Sequence, residues 1–286
     1  MTAGFSVRPE LALVISVYHC AGRLEPTVGK LDAFMRDAPM ACELVLVDDC
    51  GTDPRAAALA RRFAERPGVR LVRNDRNRGK GYSVRRGMIE AAGRWRVFTD
   101  ADLAYPLAEV WNIVGRLRDG ADVAIANRVL GASEYVLSAS FLRYLYTRHL
   151  MSRAFNRLVR LTLLPGISDT QAGLKGYSAR AADAVFPLVH IAGFGFDLEC
   201  LYVARQLGFQ VEQVPVKFRY DDEPSTVRLL HDAATMTADL ARIRWRGLNG
   251  QYRLQAPIRE ASAGGPLRES VRKPLRARSE AFISRV

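Results

Sequence analysis

The sequence predicts an α/β protein in which a mostly parallel sheet is flanked by helices. Five short apolar runs between residues 11 and 126 alternate with segments of helical periodicity, the pattern of repeated strand–helix–strand units. Some of these runs, such as Leu11–Tyr18, are apolar at nearly every position, which is typical of strands buried on both faces. Polar or charged residues follow several of the runs. Right-handed crossovers would bring these strand ends to one edge of the sheet.

The strands are predicted from runs of bulky and β-branched residues bounded by turn residues. They span Leu11–Tyr18, Glu43–Val47, Val69–Arg73, Arg94–Thr99 and Ala121–Ala126, followed by an edge-like strand at Phe209–Val214. The segment Ile167–Tyr177 contains a turn that carries polar and basic side chains.

The helices are predicted from apolar residues that recur every three or four positions. They span Gly22–Arg36, Pro54–Glu65, Tyr82–Ala92, Val110–Leu117, Phe141–Leu164, Ala179–Phe186, Gly193–Leu207 and Val227–Arg244. Thr52 or Asp53 suits the N-cap of the second helix, because a side-chain oxygen there accepts the first unpaired N–H groups. Pro54 fits its first turn. Ser225 or Thr226 can cap the last helix in the same way.

Composition and length predict one large domain with an appendage. The chain has 286 residues, of which 49% are hydrophobic, enough for a substantial core. We expect a domain over residues 1–252, with halves at about 8–130 and 131–252. The remaining segment, 253–286, is basic and poor in large apolar residues, so we expect it to be disordered.

Charge, cysteine spacing and hydropathy favour an intracellular protein with acidic partners over a secreted or membrane-spanning one. The net charge of +12 indicates acidic partners such as phosphates, nucleotides, anionic lipid or nucleic acid. The four cysteines show no C-x-x-C spacing and are interpreted as reduced thiols of a cytosolic protein. No apolar signal core and no run of 18 apolar residues occur, so we expect neither secretion nor a transmembrane span.

Two carboxylates, Asp100 and Asp102, directly follow the strand Arg94–Thr99. Side chains two residues apart at a strand end point in similar directions. Such a pair would hold a hard divalent cation, with a substrate diphosphate and water completing its coordination. The alternative is an acidic turn that merely ends a strand. Because Asp48, Asp49 and Arg128 also follow predicted strands, a site at this edge is favoured.

Two basic amphipathic regions predict contact with a surface. The helix Phe141–Leu164 interleaves aromatic and aliphatic residues with arginines, and Arg242–Arg246 surrounds Trp245 with basic side chains. Such helices lie in membrane interfaces, where tryptophan and arginine meet lipid headgroups. A core helix with a solvated arginine face is an equally open interpretation of the first region.

Several short motifs occur in a fixed order between Leu11 and Tyr252. They are Val47–Asp53 (Val-Asp-Asp-Cys-Gly-Thr-Asp), Asn77–Gly87 (Asn-Arg-Gly-Lys-Gly-Tyr-Ser-Val-Arg-Arg-Gly), Asp100-Ala-Asp102, Ser152 with Asn156, Asp169–Gly173 with Lys175, and Phe196–Glu199. Together they resemble the GT-A glycosyltransferases of family 2, most closely the polyprenyl-phosphate (dolichyl-phosphate) hexosyltransferases. Ser16 and Thr226 depart from the family's usual proline and lysine.

The resemblance implies a Rossmann-like GT-A fold, with a nucleotide-sugar half followed by an acceptor half. It also implies roles for particular residues. The implied catalytic residues are Asp100, Asp102, Arg128 and Lys175, with Asp102 and Asp100 as ligands of Mg²⁺ or Mn²⁺. The implied nucleotide-sugar contacts are Tyr18, Asp48, Asp49, Lys80, Arg85 and Asp100. The implied sugar and acceptor contacts are Asp169, Gln171, Asp197 and Glu199.

The resemblance further implies inverting transfer of glucose or mannose, from UDP-glucose or GDP-mannose, to a polyprenyl phosphate. An ionised phosphate can attack the sugar without a general base. Such an enzyme would be peripheral on the inner, cytoplasmic face of the cell membrane, against an anionic surface. Two alternatives stay open: a soluble family 2 enzyme that acts on a hydroxyl and needs a carboxylate base, or a basic nucleic-acid-binding protein. The motifs favour an enzyme that binds no nucleic acid.

Overall fold

A seven-stranded sheet forms the centre of the computed structural model, which describes residues 8–18, 21–137, 155–220 and 229–253. The strands are β1 (Leu11–Val17), β2 (Cys42–Asp48), β3 (Val69–Arg73), β4 (Trp95–Asp100), β5 (Val123–Asn127), β6 (Glu134–Leu137), β7 (Lys175–Ser178), β8 (Val211–Pro215) and β9 (Lys217–Tyr220). The sheet order is β3-β2-β1-β4-β7-β5-β8. β7 is antiparallel to both of its neighbours, and the other pairs in this sheet are parallel. β6 and β9 form a separate parallel pair.

Helices cover both faces of the sheet. They are α1 (Ala21–Arg36), α2 (Pro54–Ala64), α3 (Lys80–Glu90), α4 (Ala108–Arg118), α5 (helical at residues 155–162), α6 (Ala179–Val185), α7 (Phe196–Gln206) and α8 (Leu229–Leu248). Alternate residues of β1 enter different cores. Ala12 and Val14 belong to the cluster that contains buried residues of α3 and α7, whereas Leu13 and Ile15 belong to the cluster that contains buried residues of α1 and α4. The prediction that these strands are buried on both faces is therefore confirmed.

The five strands predicted before residue 127 are present, and β8 lies at the sheet edge as expected. Asp53 is the N-cap of α2 and accepts hydrogen bonds from the backbone N–H of Arg55 and Ala56. Three strands, β6, β7 and β9, were missed. β7 is a correction, because the turn predicted through Tyr177 gives way to an antiparallel strand between β4 and β5. Lys-Gly-Tyr-Ser lacks the run of β-branched residues that marks a buried strand.

Some predictions fall outside the described residues. These are Ser152 and most of the helix Phe141–Leu164, the caps Ser225 and Thr226, and the tail after residue 253. Among the helices that the structure does describe, none is long and apolar enough to cross a membrane.

Candidate active site

The carboxyl ends of the parallel strands bring the predicted acidic residues to one edge. Asp48 ends β2 and stands in register with Val17, while Asp100 ends β4 and stands in register with Ser16. The two aspartates therefore flank the end of β1. Ligands of open α/β sheets bind at such an edge. Tyr18, which follows β1, is 46% exposed there.

Lys80 pairs with Asp100 at the centre of this edge. The Lys80 Nζ lies 2.6 Å from Asp100 Oδ1, and both side chains are about a quarter exposed, at 24% and 28%. Burial alone would lower the pKa of Lys80, but the carboxylates of Asp100, Asp197 and Asp102 outweigh this effect and raise it. Lys80 is thus a fixed positive charge that solvent, or a ligand phosphate, can reach.

A strained turn carries Asp102, which is more exposed than Asp100. Leu103 has a positive φ of 49°, and its N–H donates to the Asp100 carbonyl at 3.1 Å. Asp102 is exposed, and its Oδ1 accepts a hydrogen bond from the Ala104 N–H at 3.1 Å. A side chain such as leucine adopts this backbone conformation at an energetic cost, which is typical of functional turns.

The chemistry of this pair fits a hard cation that keeps a substrate as co-ligand. Within the described residues, no group of three or more His, Cys, Asp and Glu side chains could hold a metal ion alone. Mg²⁺ is commonly held by one or two carboxylates, with phosphate and water oxygens completing its octahedron. Asp100 and Asp102 provide such a set.

The loop before β7 forms a wall against Asp100. A Cβ placed on Gly173 would lie 2.1 Å from Asp100 Oδ2, so only glycine permits this contact. The loop is held at its other end by Arg128, whose Nε and Nη2 donate to the Asp169 carboxylate at 2.7 and 2.9 Å. Burial alone would raise the pKa of Asp169, but the Arg128 guanidinium holds it below its usual value. Arg128 itself remains 24% exposed.

Lys175 and Asp197 form a buried ion pair behind this wall. The Lys175 ammonium donates to Asp197 Oδ1 and, at 2.6 Å, to the Ala172 carbonyl. Burial raises the pKa of Asp197, and the nearby Lys175 and Lys80 offset only part of that effect. Lys175 is 0% exposed, so it stabilises the loop and Asp197 and cannot meet a substrate phosphate directly.

Asp49 shapes the glycine-rich turn that precedes α3. Its carboxylate is 3% exposed and accepts hydrogen bonds from the Arg78 and Gly79 N–H groups, both at 2.8 Å, and from Asn74 Nδ2 at 2.7 Å. Asp48 instead lies 3.3 Å from Arg73 Nε. Asp49, which was predicted to contact the nucleotide, therefore holds the backbone of the glycine-rich turn before Lys80 instead.

Three predicted site residues contact other parts of the protein. Arg85 donates to the carbonyl oxygens of Phe186 and Pro187, so its guanidinium binds the segment after α6 in place of a phosphate. Glu199 is 0% exposed and accepts from two backbone N–H groups, from Arg246 and from Tyr252, which leaves it no access to a sugar. Gln171 is half-buried and donates to Met236 Sδ of α8 at 3.5 Å.

The model of the family described as "Glycosyl transferase family 2" matches residues 12–186, which is more than half of the chain. The chain belongs to glycosyl transferase family 2. The matched span includes every strand of the sheet except β8, as well as the glycine-rich turn and the Asp100–Asp102 pair.

This family 2 glycosyltransferase also resembles individual proteins. It is 28% identical to a dolichyl-phosphate beta-glucosyltransferase of Dictyostelium discoideum, over 86% of this chain and 77% of that protein. It is 28% identical to the human protein of the same name, over 86% and 78%. It is 29% identical to the glycosyltransferase AglD of Haloferax volcanii, over 83% of this chain but 37% of AglD.

Solved structures of low sequence identity share the fold. Glucosyl-3-phosphoglycerate synthase of Mycobacterium tuberculosis, in complex with Mg²⁺ and UDP, superposes with a TM-score of 0.58 at 17% identity, over 83% of this chain and 80% of that one. Mannosyl-3-phosphoglycerate synthase of Rubrobacter xylanophilus gives 0.58 at 16% identity, over 90% and 79%. The GT-A fold predicted for the glycosyltransferase is confirmed.

Sequence reasoning missed two residues that lie next to the candidate site of the glycosyltransferase. Tyr105 is 2% exposed, and the pKa of its hydroxyl is raised by burial in an environment that includes the charges of Arg128, Asp169 and Asp100. Gly173 forms the contact with Asp100. Tyr105 follows the Asp100–Asp102 pair, and Gly173 ends the motif Asp169–Gly173. No sequence signal distinguishes a tyrosine or glycine of this kind from an ordinary core or turn residue.

Proposed function

We propose that this glycosyltransferase moves glucose from UDP-glucose to a polyprenyl phosphate, with inversion at the sugar carbon. Relatives that are named dolichyl-phosphate beta-glucosyltransferase, and that match most of both chains, support this choice of sugar and acceptor. The observation that carries it is the Lys80–Asp100 contact beside Asp102, at the carboxyl edge of the sheet. A sugar diphosphate placed at this edge meets both a cation-binding carboxylate pair and an ammonium.

The donor would lie across the ends of β1, β2 and β4. Tyr18 and Asp48 are placed for the nucleoside, and Lys80 for the diphosphate. Asp100 and Asp102 would hold Mg²⁺ or Mn²⁺, which neutralises the charge that grows on the departing diphosphate. Lys80 adds a donor of fixed position, because its turn is anchored by Asp49.

The acceptor is proposed to be a phosphate, since its attack needs no proton removal. One of its oxygens forms a bond to the sugar C1 while the bond from C1 to the nucleotide oxygen breaks, and the bond electrons leave with the diphosphate. The carboxylates implied as sugar and acceptor contacts are all engaged within the protein: Asp169 binds Arg128, Asp197 binds Lys175, and Glu199 binds Arg246. Their engagement favours a nucleophile that is already charged.

The lipid acceptor places the enzyme at a membrane surface, on the inner face of the cell membrane. The last turns of α8 support this part of the proposal. Trp245 and Leu248 are 60% and 72% exposed there, next to Arg244 and Arg246. An exposed tryptophan among arginines suits the headgroup layer of an anionic bilayer.

A transfer assay with the full-length protein tests the proposal. UDP-glucose and GDP-mannose are each offered with polyprenyl phosphate, with the unphosphorylated polyprenol and with 3-phosphoglycerate, in the presence of Mg²⁺ or Mn²⁺. We expect glucosyl transfer to polyprenyl phosphate alone. The product should be a β-linked glucosyl phosphate, identified by mass spectrometry and by the NMR coupling of the anomeric proton.

Asp102→Asn, which removes one carboxylate charge, should lower kcat by at least about 10²-fold. Asp37→Asn, at an exposed aspartate remote from the sheet edge, should leave it unchanged. Transfer to 3-phosphoglycerate or polyprenol in place of polyprenyl phosphate would overturn the proposed acceptor, and mannosyl transfer would overturn the proposed donor.

A further inference from the structure

Glu199 of α7 is the centre of a buried hydrogen-bond cluster that reaches a loop next to the active site. Its Oε2 accepts from the N–H groups of His190 and Ile191 at 2.8 and 2.6 Å. Its Oε1 accepts from Arg246 Nη1 at 3.1 Å and from the Tyr252 hydroxyl at 2.6 Å. A carboxylate with four donors and no exposed surface fixes the backbone that it binds.

That backbone in turn holds the glycine-rich turn before Lys80. The Ala192 carbonyl accepts from the Gly81 N–H at 2.7 Å and from the Tyr82 N–H at 3.4 Å. A Cβ on Gly79 would lie 2.6 Å from the Ala192 oxygen, and one on Gly81 would lie 2.4 Å from the Ile191 oxygen. The turn and the loop over residues 190–192 are thus in direct contact on both sides of Lys80.

We infer that Glu199 is a positioning residue for the donor reaction, acting through the 190–192 loop and the glycine-rich turn to hold Lys80 beside Asp100. The inference rests on the proposed function in taking Lys80 as the group that meets the donor diphosphate. It assigns Glu199 no contact with a sugar. Removing the Glu199 charge should therefore weaken donor binding and transfer when Lys80 is present, and should have little further effect once Lys80 has been replaced.

The chain offers a matched control in Glu43. This glutamate is also 0% exposed, and it also accepts from two consecutive backbone N–H groups, those of Ala92 and Gly93, and from an arginine, Arg70. It lies near the amino end of β2, whereas the candidate site lies at the carboxyl ends of the strands. Glu43→Gln therefore reproduces the loss of one buried charge and its loop contacts without touching the Lys80 turn.

Hydrogen exchange on the full-length protein is the first measurement, because it needs no ligand. In Glu199→Gln, we expect the Gly81 and Tyr82 amides to exchange about tenfold faster than in the wild type, since their acceptor loop is held less firmly. Glu43→Gln should not change them. Unchanged exchange at Gly81 and Tyr82 in Glu199→Gln would overturn the inference.

A double-mutant cycle with Lys80→Met separates positioning from general destabilisation. We expect Glu199→Gln to weaken UDP-glucose binding in the presence of Mg²⁺, and kcat/KM for transfer, by about tenfold in the wild-type background. In the Lys80→Met background, the further loss should stay below about twofold. Equal losses in the two backgrounds would reduce Glu199 to a structural residue and overturn the inference.

Tyr252→Phe is the milder variant if Glu199→Gln fails to fold. It removes one donor to Glu199 while the ring keeps its edge-on contact with Tyr202. A loss of about threefold in donor binding that disappears in the Lys80→Met background supports the inference. A loss that persists there overturns it. If the wild type binds UDP-glucose but transfers nothing to polyprenyl phosphate, the proposed acceptor fails and the cycle on donor binding still decides the role of Glu199.

Discussion

The pKa values of two buried carboxylates of this protein shift in opposite directions because their hydrogen-bond partners differ. Asp169 and Asp197 are both almost fully enclosed, yet the pKa of the first is lowered and that of the second is raised. The difference lies in how far each partner offsets burial: Arg128 gives Asp169 two parallel hydrogen bonds and a backbone N–H, whereas Lys175 gives Asp197 a single ammonium contact. Residue type alone does not predict this outcome.

Lys80 and Arg85 show how far single residues could be assigned from the sequence. Both follow the glycine-rich turn, and both were predicted to bind phosphate. Five residues along a helix correspond to a rotation of about 140°, so the two side chains leave α3 on different faces. Helical geometry could have separated them in advance. The choice of Lys80 as the residue beside Asp100 required the fold, because Asp100 comes from a different strand.

Gly173→Ala tests the contact that fixes Asp100. The added methyl group would lie 2.1 Å from Asp100 Oδ2, so the carboxylate must move away from its position beside Lys80. We expect the Mg²⁺ concentration needed for half-maximal transfer to rise, and kcat to fall by about 10²-fold. A metal titration of the transfer assay, together with thermal unfolding to confirm that the variant folds, measures both effects.

The matched substitution is Gly115→Ala. Gly115 lies within α4, where a Cβ would meet nothing within 4 Å. This variant should gain about 0.5–1 kcal/mol in the free energy of unfolding, through lower backbone entropy of the unfolded chain, with metal dependence unchanged. Normal metal dependence in Gly173→Ala would show that the wall does not fix Asp100.

At the scale of elements, pattern predicted the strands that are buried and continuous, and failed for the short ones. β1 and β2 read clearly because their apolar residues form unbroken runs. β7 has four residues, among them a buried lysine, and its strand character comes from pairing with β4 and β5 on either side. Because β7 runs antiparallel, its first residue, Lys175, lies at the same edge as the last residues of β4 and β5. Lys175, which the resemblance implied to be catalytic, therefore lies beside these strand ends but is fully buried.

Arg128→Met tests the pair that ties the end of β5 to the loop before β7. Without the guanidinium, Asp169 is a buried carboxylate that lacks its cation, which should cost about 3–5 kcal/mol in the free energy of unfolding near pH 7. In the wild type, the folded pKa of Asp169 lies below the value of 3.8 for the unfolded chain, so the pair stabilises above that pH and loses its effect as pH falls through the folded pKa. In the variant, burial raises this pKa, so stability should fall as pH rises above about 4.

Urea unfolding from pH 3 to pH 8 measures the difference between the two proteins. The gap in unfolding free energy should widen with rising pH and narrow towards pH 3. Lys217→Met is the control. Both side chains of the Lys217–Glu134 pair are exposed, at 61% and 66%, so this pair should contribute less than about 1 kcal/mol to the free energy of unfolding. A gap of the same size at every pH would show that Asp169 titrates alike with and without Arg128.

At the scale of the whole molecule, the alternation of strands and helices predicted the fold class, and the ordered motifs predicted the family. The proposed membrane-facing surface depends instead on which side chains of α8 the fold leaves exposed. The amphipathic pattern around Trp245 left open which side chains face the core. The structure buries Leu240 and Ile243 of α8 and exposes Trp245 and Leu248. Packing of the helix against the domain decides this division, so periodicity alone could predict an apolar face but not the residues left outside it.

Sedimentation of the full-length protein with vesicles tests this surface. If the exposed end of α8 enters the headgroup layer, replacing both Trp245 and Leu248 by serine should weaken the affinity for phosphatidylglycerol-containing vesicles by about 30-fold, because about 2 kcal/mol of apolar burial is lost. Binding should also weaken with added salt and vanish on neutral vesicles, since a net charge of +12 drives the first approach. Ile89→Ser, which removes an apolar side chain that is 42% exposed on α3, should leave binding unchanged. Equal binding of the double variant and the wild type would place the attachment elsewhere. Tighter binding to DNA or RNA than to the vesicles, compared at one salt concentration, would assign the role of the positive charge to nucleic acid.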